Sequence, residues 1–310
     1  MKILITGALG HIGSRLIRYL PATFPDSEIV MVDNLMTQRY FSLYNLPANG
    51  RYRFVEADVN SVNLEALLQG THVVVHLAAI TDAAGSFDRG EELERNNFNA
   101  TKRLAEACAN AGVRLISLSS TSVYGTQAKV VDEGCSEVEL KPQSPYAATK
   151  LKEESLVLRL VAEAGLKACI CRFGTIFGVS PGMRFHTAVN KFCWQAAMKQ
   201  PITVWSTAFD QKRPYLDLGD ACRAIAHIIR SDLFDGQIYN VLTLNATVRE
   251  IVNSIRTVVP ELKLSFVDSP IMNQLSYEVS GDKFESTNFK ASASLQDAVL
   301  EEINLIHVNK

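Results

Sequence analysis

No apolar run in this chain of 310 residues approaches the roughly 20 residues that span a bilayer as a helix. A membrane partner is therefore not expected. There is also no excess of one charge. Lys and Arg number 31 against 33 Asp and Glu, a net charge of -2, and both signs are mixed along the chain. Without a basic block there is no electrostatic reason to expect nucleic acid or an acidic lipid surface. Cysteine is sparse. Of Cys108, Cys135, Cys169, Cys171, Cys193 and Cys222, only Cys169 and Cys171 lie close together. A C-x-C inside an apolar run has neither zinc nor redox spacing, so buried, reduced thiols in a cytoplasmic protein are expected. The six histidines are His11, His72, His76, His186, His227 and His307. Only His72 and His76 are four apart, and they flank a predicted strand, where four residues span about 13 Å. That is too far for one ion, so no metal is expected. The chain also lacks internal repeats, low-complexity tracts and a Pro/Gly-rich linker. Its N-terminus has no long apolar segment followed by small residues, so KILIT reads as a first strand and not as a signal peptide.

What is present is alternation. Apolar residues make up 47% of the chain, enough for a large core. Lys2 to Thr6, Ile29 to Val32, Tyr52 to Val55, Val73 to Leu77, Val113 to Leu118 and Leu166 to Phe173 read as strands. Helical patterns lie between them: His11 to Leu20, ended by Pro21; 91–111, followed by Gly112; and Pro145 to about Ala164, closed by Gly165. This order predicts an α/β fold with a doubly wound parallel sheet of Rossmann type over 1–174. Beyond Gly174 the pattern loosens. A helix is expected over Phe185–Lys199, a strand at Ile202–Trp205, then a polar loop. A helix over Leu218–Arg230 and a strand at Ile238–Val241 are expected to rejoin the first sheet within 218–241. Helices opening at Thr247 with Glu250, and at Ser294 with Asp297, carry capping-box patterns. The segments 175–217 and 242–310 are expected to form a smaller α/β C-terminal substrate lobe.

Two motifs carry chemistry. Gly7, Gly10 and Gly13 form G-x-x-G-x-x-G between the first strand and first helix. Gly7 permits a tight turn, Gly10 lets backbone approach a pyrophosphate, and Gly13 lets helix and sheet pack closely. The helix start offers N–H groups and a positive dipole end to phosphates. Asp33 follows Gly13 by 20 residues, at the end of the second strand. There it reads as a ribose-binding acid, which favours NAD over NADP, or else as a solvated turn-former. The second motif is Tyr146-x-x-x-Lys150, which places a phenol and an ammonium on one helix face. The positive charge would favour a phenolate able to take a proton from a substrate hydroxyl. Ser120, closing the fifth strand, would orient the reacting oxygen. A Tyr-x-x-x-Lys pair alone is weak evidence; the order of glycine loop, strand-ending serine and Tyr-x-x-x-Lys gives it weight.

In the same order run TGALGHIG (6–13), VDNL (32–35), ADV (57–59), HLAA (76–79), NFNAT (97–101), SLSSTSVYG (117–125), KPQSPYAATK (141–150), CRFGTIFG (171–178) and RPYLDLGDACRAI (213–225). With them the chain resembles the extended short-chain dehydrogenase/reductases, the NAD-dependent nucleotide-sugar epimerase/dehydratase group that includes UDP-galactose 4-epimerase. The resemblance implies Ser120, Tyr146 and Lys150 as the catalytic set. It implies NAD contacts from Gly7, Gly10, His11, Ile12, Gly13, Asp33, Asn34, Asp58, Val59, Leu77, Ala78, Ala79, Thr81, Asn97, Tyr146, Lys150 and Phe173. For a nucleotide-diphosphate sugar it implies Ser122, Thr175, Asn190, Trp205 and Arg213. It also implies a homodimer through the helices around 91–111 and 146–164, although either helix could simply cover the sheet.

Departures from the family narrow the reaction. The 4,6-dehydratases carry Thr-Asp-Glu where this chain has Ser120-Thr121-Ser122, so the acid and base for eliminating water are missing. Pro214 replaces the acid that follows the family arginine, and Thr175 replaces an amide that touches the sugar. The preferred expectation is epimerisation at C4 through a transient 4-keto sugar. A 4-ketoreductase, dehydrogenase, decarboxylase or dehydratase stands as the alternative, and a non-enzymatic NAD(P)-binding sensor as the rival from another class.

Overall fold

The computed structural model describes residues 1–81, 90–125, 127, 130–136, 138–268 and 276–306. The chain opens with strand β1 (Lys2–Thr6), helix α1 (His11–Thr23), β2 (Glu28–Asp33) and β3 (Arg51–Glu56). Helix α2 (Leu64–Leu68), β4 (Val73–His76), α3 (Gly90–Ala111), β5 (Arg114–Ser120), α4 (Pro145–Ala164) and β6 (Ala168–Phe173) follow. Then come β7 (Thr175–Phe177), α5 (Ala188–Ala197), β8 (Ile202–Trp205), β9 (Lys212–Asp217), α6 (Leu218–Arg230) and β10 (Ile238–Val241). The last elements are β11 (Leu244–Thr247), α7 (Val248–Val258), β12 (Leu264–Val267), α8 (Asp282–Glu285) and α9 (Leu295–Ile306).

Seven strands form one sheet in the order β10-β6-β5-β4-β1-β2-β3. Every pairing in it is parallel. The predicted doubly wound sheet is thus present. Its central strands are buried on both faces, which is why β1, β2, β4 and β6 read as near-continuous apolar runs. One core, between the sheet and α1 and α6, includes Ile3, Ile17, Ile225 and Phe284. The other face is covered by α3 and α4 over Leu4, Val74, Leu104 and Val157. Chain order reverses between β1 and β4, which opens a crevice at the carboxyl ends of the strands.

A third core joins Phe177, Phe192, Val204, Ile251 and Val299, from β7, α5, β8, α7 and α9. It carries a three-stranded sheet, β11-β9-β7, and a two-stranded one, β12-β8. A capping box between Thr247 and Glu250 opens α7.

Several boundaries differ from sequence expectation. Pro21 lies inside α1, not at its end. It falls in the last turn, where one missing N–H removes little, and the Phe24 N–H still reaches the Leu20 carbonyl at 2.7 Å. The helix expected over 185–199 is shorter at both ends. The polar loop expected before Leu218 holds β9, paired with both β7 and β11. Pro214 argues against a strand in sequence, but it precedes the stretch that β7 covers, so only one side of β9 is paired there.

Candidate active site

The glycine loop closes the crevice from below. Gly7 has φ +65°, and a Cβ there would lie 2.7 Å from the Ala78 nitrogen. A Cβ on Gly13 would lie 2.5 Å from the Gly7 carbonyl oxygen. The first turn of α1 is therefore pulled flush against the ends of β1 and β4, with its N–H groups toward the crevice. Gly10 is less constrained: a Cβ there would meet the Gly7 oxygen at 3.2 Å. Asp33, at the end of β2, accepts the Leu9 N–H at 3.0 Å and the Leu35 N–H at 2.9 Å. Its carboxylate is thereby aimed beside the loop, with acceptor capacity left for hydroxyls. Asn34 donates to Asp58 at 2.9 Å, which ties the ends of β2 and β3 together.

Other expected cofactor residues sit here with different local duties. The His11 ring bonds the Gly178 carbonyl at 2.9 Å, and burial lowers its pKa to about 4. What His11 presents to the crevice is backbone. The Asn97 amide both donates to and accepts from the Ile80 backbone, at 2.9 and 2.8 Å, so it holds the segment leaving β4. That segment carries Leu77, Ala78, Ala79 and Thr81. Ile12 packs on the α1–α6 core, Val59 is buried, and Phe173 is core at the end of β6. A loop, two strand ends and an acid of this shape fit a dinucleotide with free ribose hydroxyls, as NAD has.

The three residues expected to be catalytic lie one strand farther along. Ser144 caps α4 through the Ala147 N–H at 3.1 Å, and Pro145 supplies its first turn. That places Tyr146 in the first turn and Lys150 one turn later. The Lys150 ammonium lies 5.8 Å from the Tyr146 ring centre. It donates to the Leu118 carbonyl at 3.0 Å and to Glu153 at 2.9 Å. Burial alone would lower its pKa, but Glu153, Tyr146 and Glu154 outweigh burial and raise it, so it stays charged. Ser120 ends β5, and its hydroxyl accepts from the Ser122 hydroxyl at 2.9 Å and the Ser122 N–H at 3.2 Å. Helix α4 packs against β5 and the 3-10 turn Thr121–Tyr124, so serine, phenol and ammonium share one end of the sheet.

The residues expected to grip substrate are less uniform. Ser122 and Thr175 lie at the carboxyl ends of β5 and β6. The Asn190 amide is turned inward, accepting the Gly178 N–H at 3.0 Å and donating to the Arg184 carbonyl at 2.9 Å. It shapes the 178–184 loop. Trp205 is exposed at the end of β8, and Arg213 is the second residue of β9, paired with Ala246 of β11.

Three features escape sequence reasoning. The 178–184 loop lies on the glycine loop: a Cβ on Gly182 would be 2.4 Å from the Leu9 oxygen, and the Gly182 N–H donates to Ser14 at 2.9 Å. Arg184 is thus carried to Thr81 and beside His11. Behind the site, Arg172 on β6 grips Glu154 on α4 twice, at 2.9 and 2.7 Å, and donates to Tyr124 at 2.9 Å. The third is Glu153. A lone glycine in Ser-Pro-Gly-Met and two consecutive glutamates were the only signals. Among the described residues, which exclude His307, no three His, Cys, Asp or Glu could hold a metal ion. His72 accepts the Lys2 N–H, and His76 is bonded to Thr6 and Thr101.

The model of the "NAD dependent epimerase/dehydratase" family matches residues 3–241. An "Uncharacterized UDP-glucose epimerase YtcB" of Bacillus subtilis is 31% identical, over 78% of this chain and 76% of that protein. A trifunctional UDP-glucose 4,6-dehydratase/3,5-epimerase/reductase, RHM2 of Arabidopsis thaliana, is 28% identical over 96% of this chain. The chain spans only 46% of that plant protein's length. Among solved structures, UDP-glucuronic acid 4-epimerase from Bacillus cereus, bound to UDP-glucuronic acid and NAD, superposes with a TM-score of 0.89. It is 26% identical, with 99% of both chains covered.

Proposed function

The chain belongs to the NAD-dependent epimerase/dehydratase family, and from that premise we propose that it epimerises C4 of a nucleotide-diphosphate sugar through a transient 4-keto sugar. The observation that carries the reading is the placement of Ser120, Tyr146 and Lys150 at one end of β5 and α4, with β4 between β5 and the strand that carries the glycine loop. NAD, when bound, supplies an acceptor and then a donor of hydride for C4. Tyr146 takes the C4 hydroxyl proton and later returns it, so no net oxidation remains. Lys150 holds positive charge beside the phenol and keeps an N–H for the cofactor's ribose. Ser120 donates to the reacting oxygen and orients it.

Elimination of water would need further acid and base groups near C5 and C6. Ser120 and Ser122 carry neutral hydroxyls and the buried Thr121 hydroxyl is bonded to the Phe173 carbonyl, so these three places hold no acid or base, which favours epimerase over dehydratase. The relatives' names and the UDP-glucuronic acid in the Bacillus cereus enzyme support a UDP-sugar as substrate. We assign the grip on it to 175–217 and 242–310, with Arg213 pairing the diphosphate and Trp205 near the base. We further propose a homodimer through α3 and α4. All six cysteines are free, which supports a cytoplasmic site of action.

Proton NMR of the protein with UDP-, dTDP-, GDP- and CDP-sugars tests this. Interconversion of C4 epimers without added NADH is the expected result. Conversion only with stoichiometric NADH would replace the reading with a 4-ketoreductase. Unchanged ligand behaviour of Tyr146→Phe, with no conversion by either protein, would favour a sensor.

A further inference from the structure

Helix α4 buries two consecutive carboxylates, and they have opposite fates. Glu154 is saturated by Arg172 and Ser119. It locks the helix to β6 and β5. Glu153 is as deeply buried, at 2% exposure, yet it has one partner, the Lys150 ammonium at 2.9 Å. Its Oε1 is buried and meets no donor among the described residues. Burying a carboxylate is unfavourable unless a partner offsets the loss of hydration. A neutral side chain would complete the packing without that cost. The charge of Glu153 therefore acts on Lys150 and on whatever Lys150 touches.

We propose that Glu153 is a positioning residue of the catalytic centre, which fixes the Lys150 ammonium and offsets its charge, and so sets the pH range in which Tyr146 works. The inference rests on Tyr146 being the proton-transfer group. An ammonium has three N–H donors. Leu118 and Glu153 take two, which leaves a third for a ligand.

The electrostatic consequence has a definite sign. At the phenol, the ammonium favours the phenolate and the carboxylate opposes it. Among the described residues, the other charged or titratable groups around Lys150 are these. Glu154 on α4 is neutralised by Arg172 on β6. His76 on β4 is held neutral: its pKa is lowered to about 3, first by burial and then by Lys150. From α3, Asn97 is uncharged, and Glu94 pairs with Lys152 on the outer surface. Leu118 of β5 contributes only its carbonyl. Among the described residues, Glu153 is thus the negative charge beside the pair whose sole counter-charge is Lys150. Replacing it with glutamine leaves the Lys150 charge unopposed, so the phenolate forms at lower pH. It also removes a partner that holds the ammonium proton, so the alkaline limit falls too.

The test uses the NAD-bound enzyme and the Glu153→Gln and Glu153→Asp variants. The near-ultraviolet phenolate absorbance is titrated, each protein against its own Tyr146→Phe partner, alongside the pH profile of turnover. For Glu153→Gln the phenolate midpoint, and both limbs of the profile, should move down by about one pH unit. Glu153→Asp keeps the charge and should stay close to the parent. A Glu153→Gln midpoint that matches the parent's overturns the proposal, whatever the turnover. A shifted midpoint in a protein that converts no sugar supports Glu153 while removing the epimerase reading. Should Glu153→Gln fail to fold, Glu153→Ser carries the same prediction, with room for a water.

Discussion

At the scale of single residues, the site is built from a few side chains with no slack in their geometry. Tyr146 and Lys150 lie one helical turn apart, and in the proposed mechanism the phenol oxygen exchanges the sugar's proton. Tyr146→Phe should therefore lower kcat by about 10²–10⁴-fold, with NAD affinity and melting temperature nearly unchanged. Steady-state rates and a thermal melt check this; a fall of less than tenfold would contradict it. Gly7 is held at φ +65° with the β4 backbone 2.7 Å from where a Cβ would stand. Gly7→Ala should add about 1–3 kcal/mol of backbone strain and lift the loop from β4. NAD titration calorimetry should show affinity weakened at least about tenfold, and an unaltered Kd would refute the fit. The placement of such residues is legible in sequence because it follows from their type and spacing: only glycine tolerates the turn, and Tyr-x-x-x-Lys puts two side chains on one helix face. Glu153 was not legible. A glutamate three residues after a lysine on a helix is ordinarily an exposed pair, and only burial at 2% separates the two cases.

At the scale of elements, α4 matters most, because its orientation carries the phenol and the ammonium together. It is fixed at its start by Ser144 and in its middle by the buried Arg172–Glu154 pair. Arg172→Met leaves Glu154 buried without its counter-charge, which should cost about 3–5 kcal/mol. Denaturant melts should show that loss, with kcat falling because the helix is no longer pinned. An unchanged midpoint would mean that α4 is held by apolar packing alone. The long elements could be read in advance: α3 and α4 show helical periodicity, and the sheet strands are apolar runs bounded by turns. The short strands β7, β9, β11 and β12 could not. Each has three to six residues and little alternation, and each exists only because a distant partner supplies its hydrogen bonds. Asn97 and Asn190 show the same limit in side chains. Both reside where the family pattern places contacts, but their amides bond to local backbone.

At the scale of the whole molecule, the seven-stranded sheet and the third core are separate hydrophobic units, and the crevice lies where loops from both converge. The third core hides a titratable group. Glu302 on α9 is 1% exposed beside the Cys193 thiol, and burial raises its pKa from 4.5 to about 8. Between those values the folded state holds a proton that the unfolded chain releases. Stability should therefore fall as pH rises from about 4.5 to about 8, then level off. Melting temperatures from about pH 5 to about pH 9 should show this slope, and Glu302→Gln should flatten it. A slope that persists unchanged in the variant would place its origin elsewhere.

The central claim is that C4 is oxidised and reduced again within one active site. A nucleotide-diphosphate sugar carrying deuterium at C4, incubated with the purified holoenzyme and followed by NMR, tests it most directly. Deuterium kept at C4 of the epimer, with no NADH accumulating, is the predicted result. Epimer formed with C4 protonated from solvent, or product formed only as NADH is consumed, would contradict it.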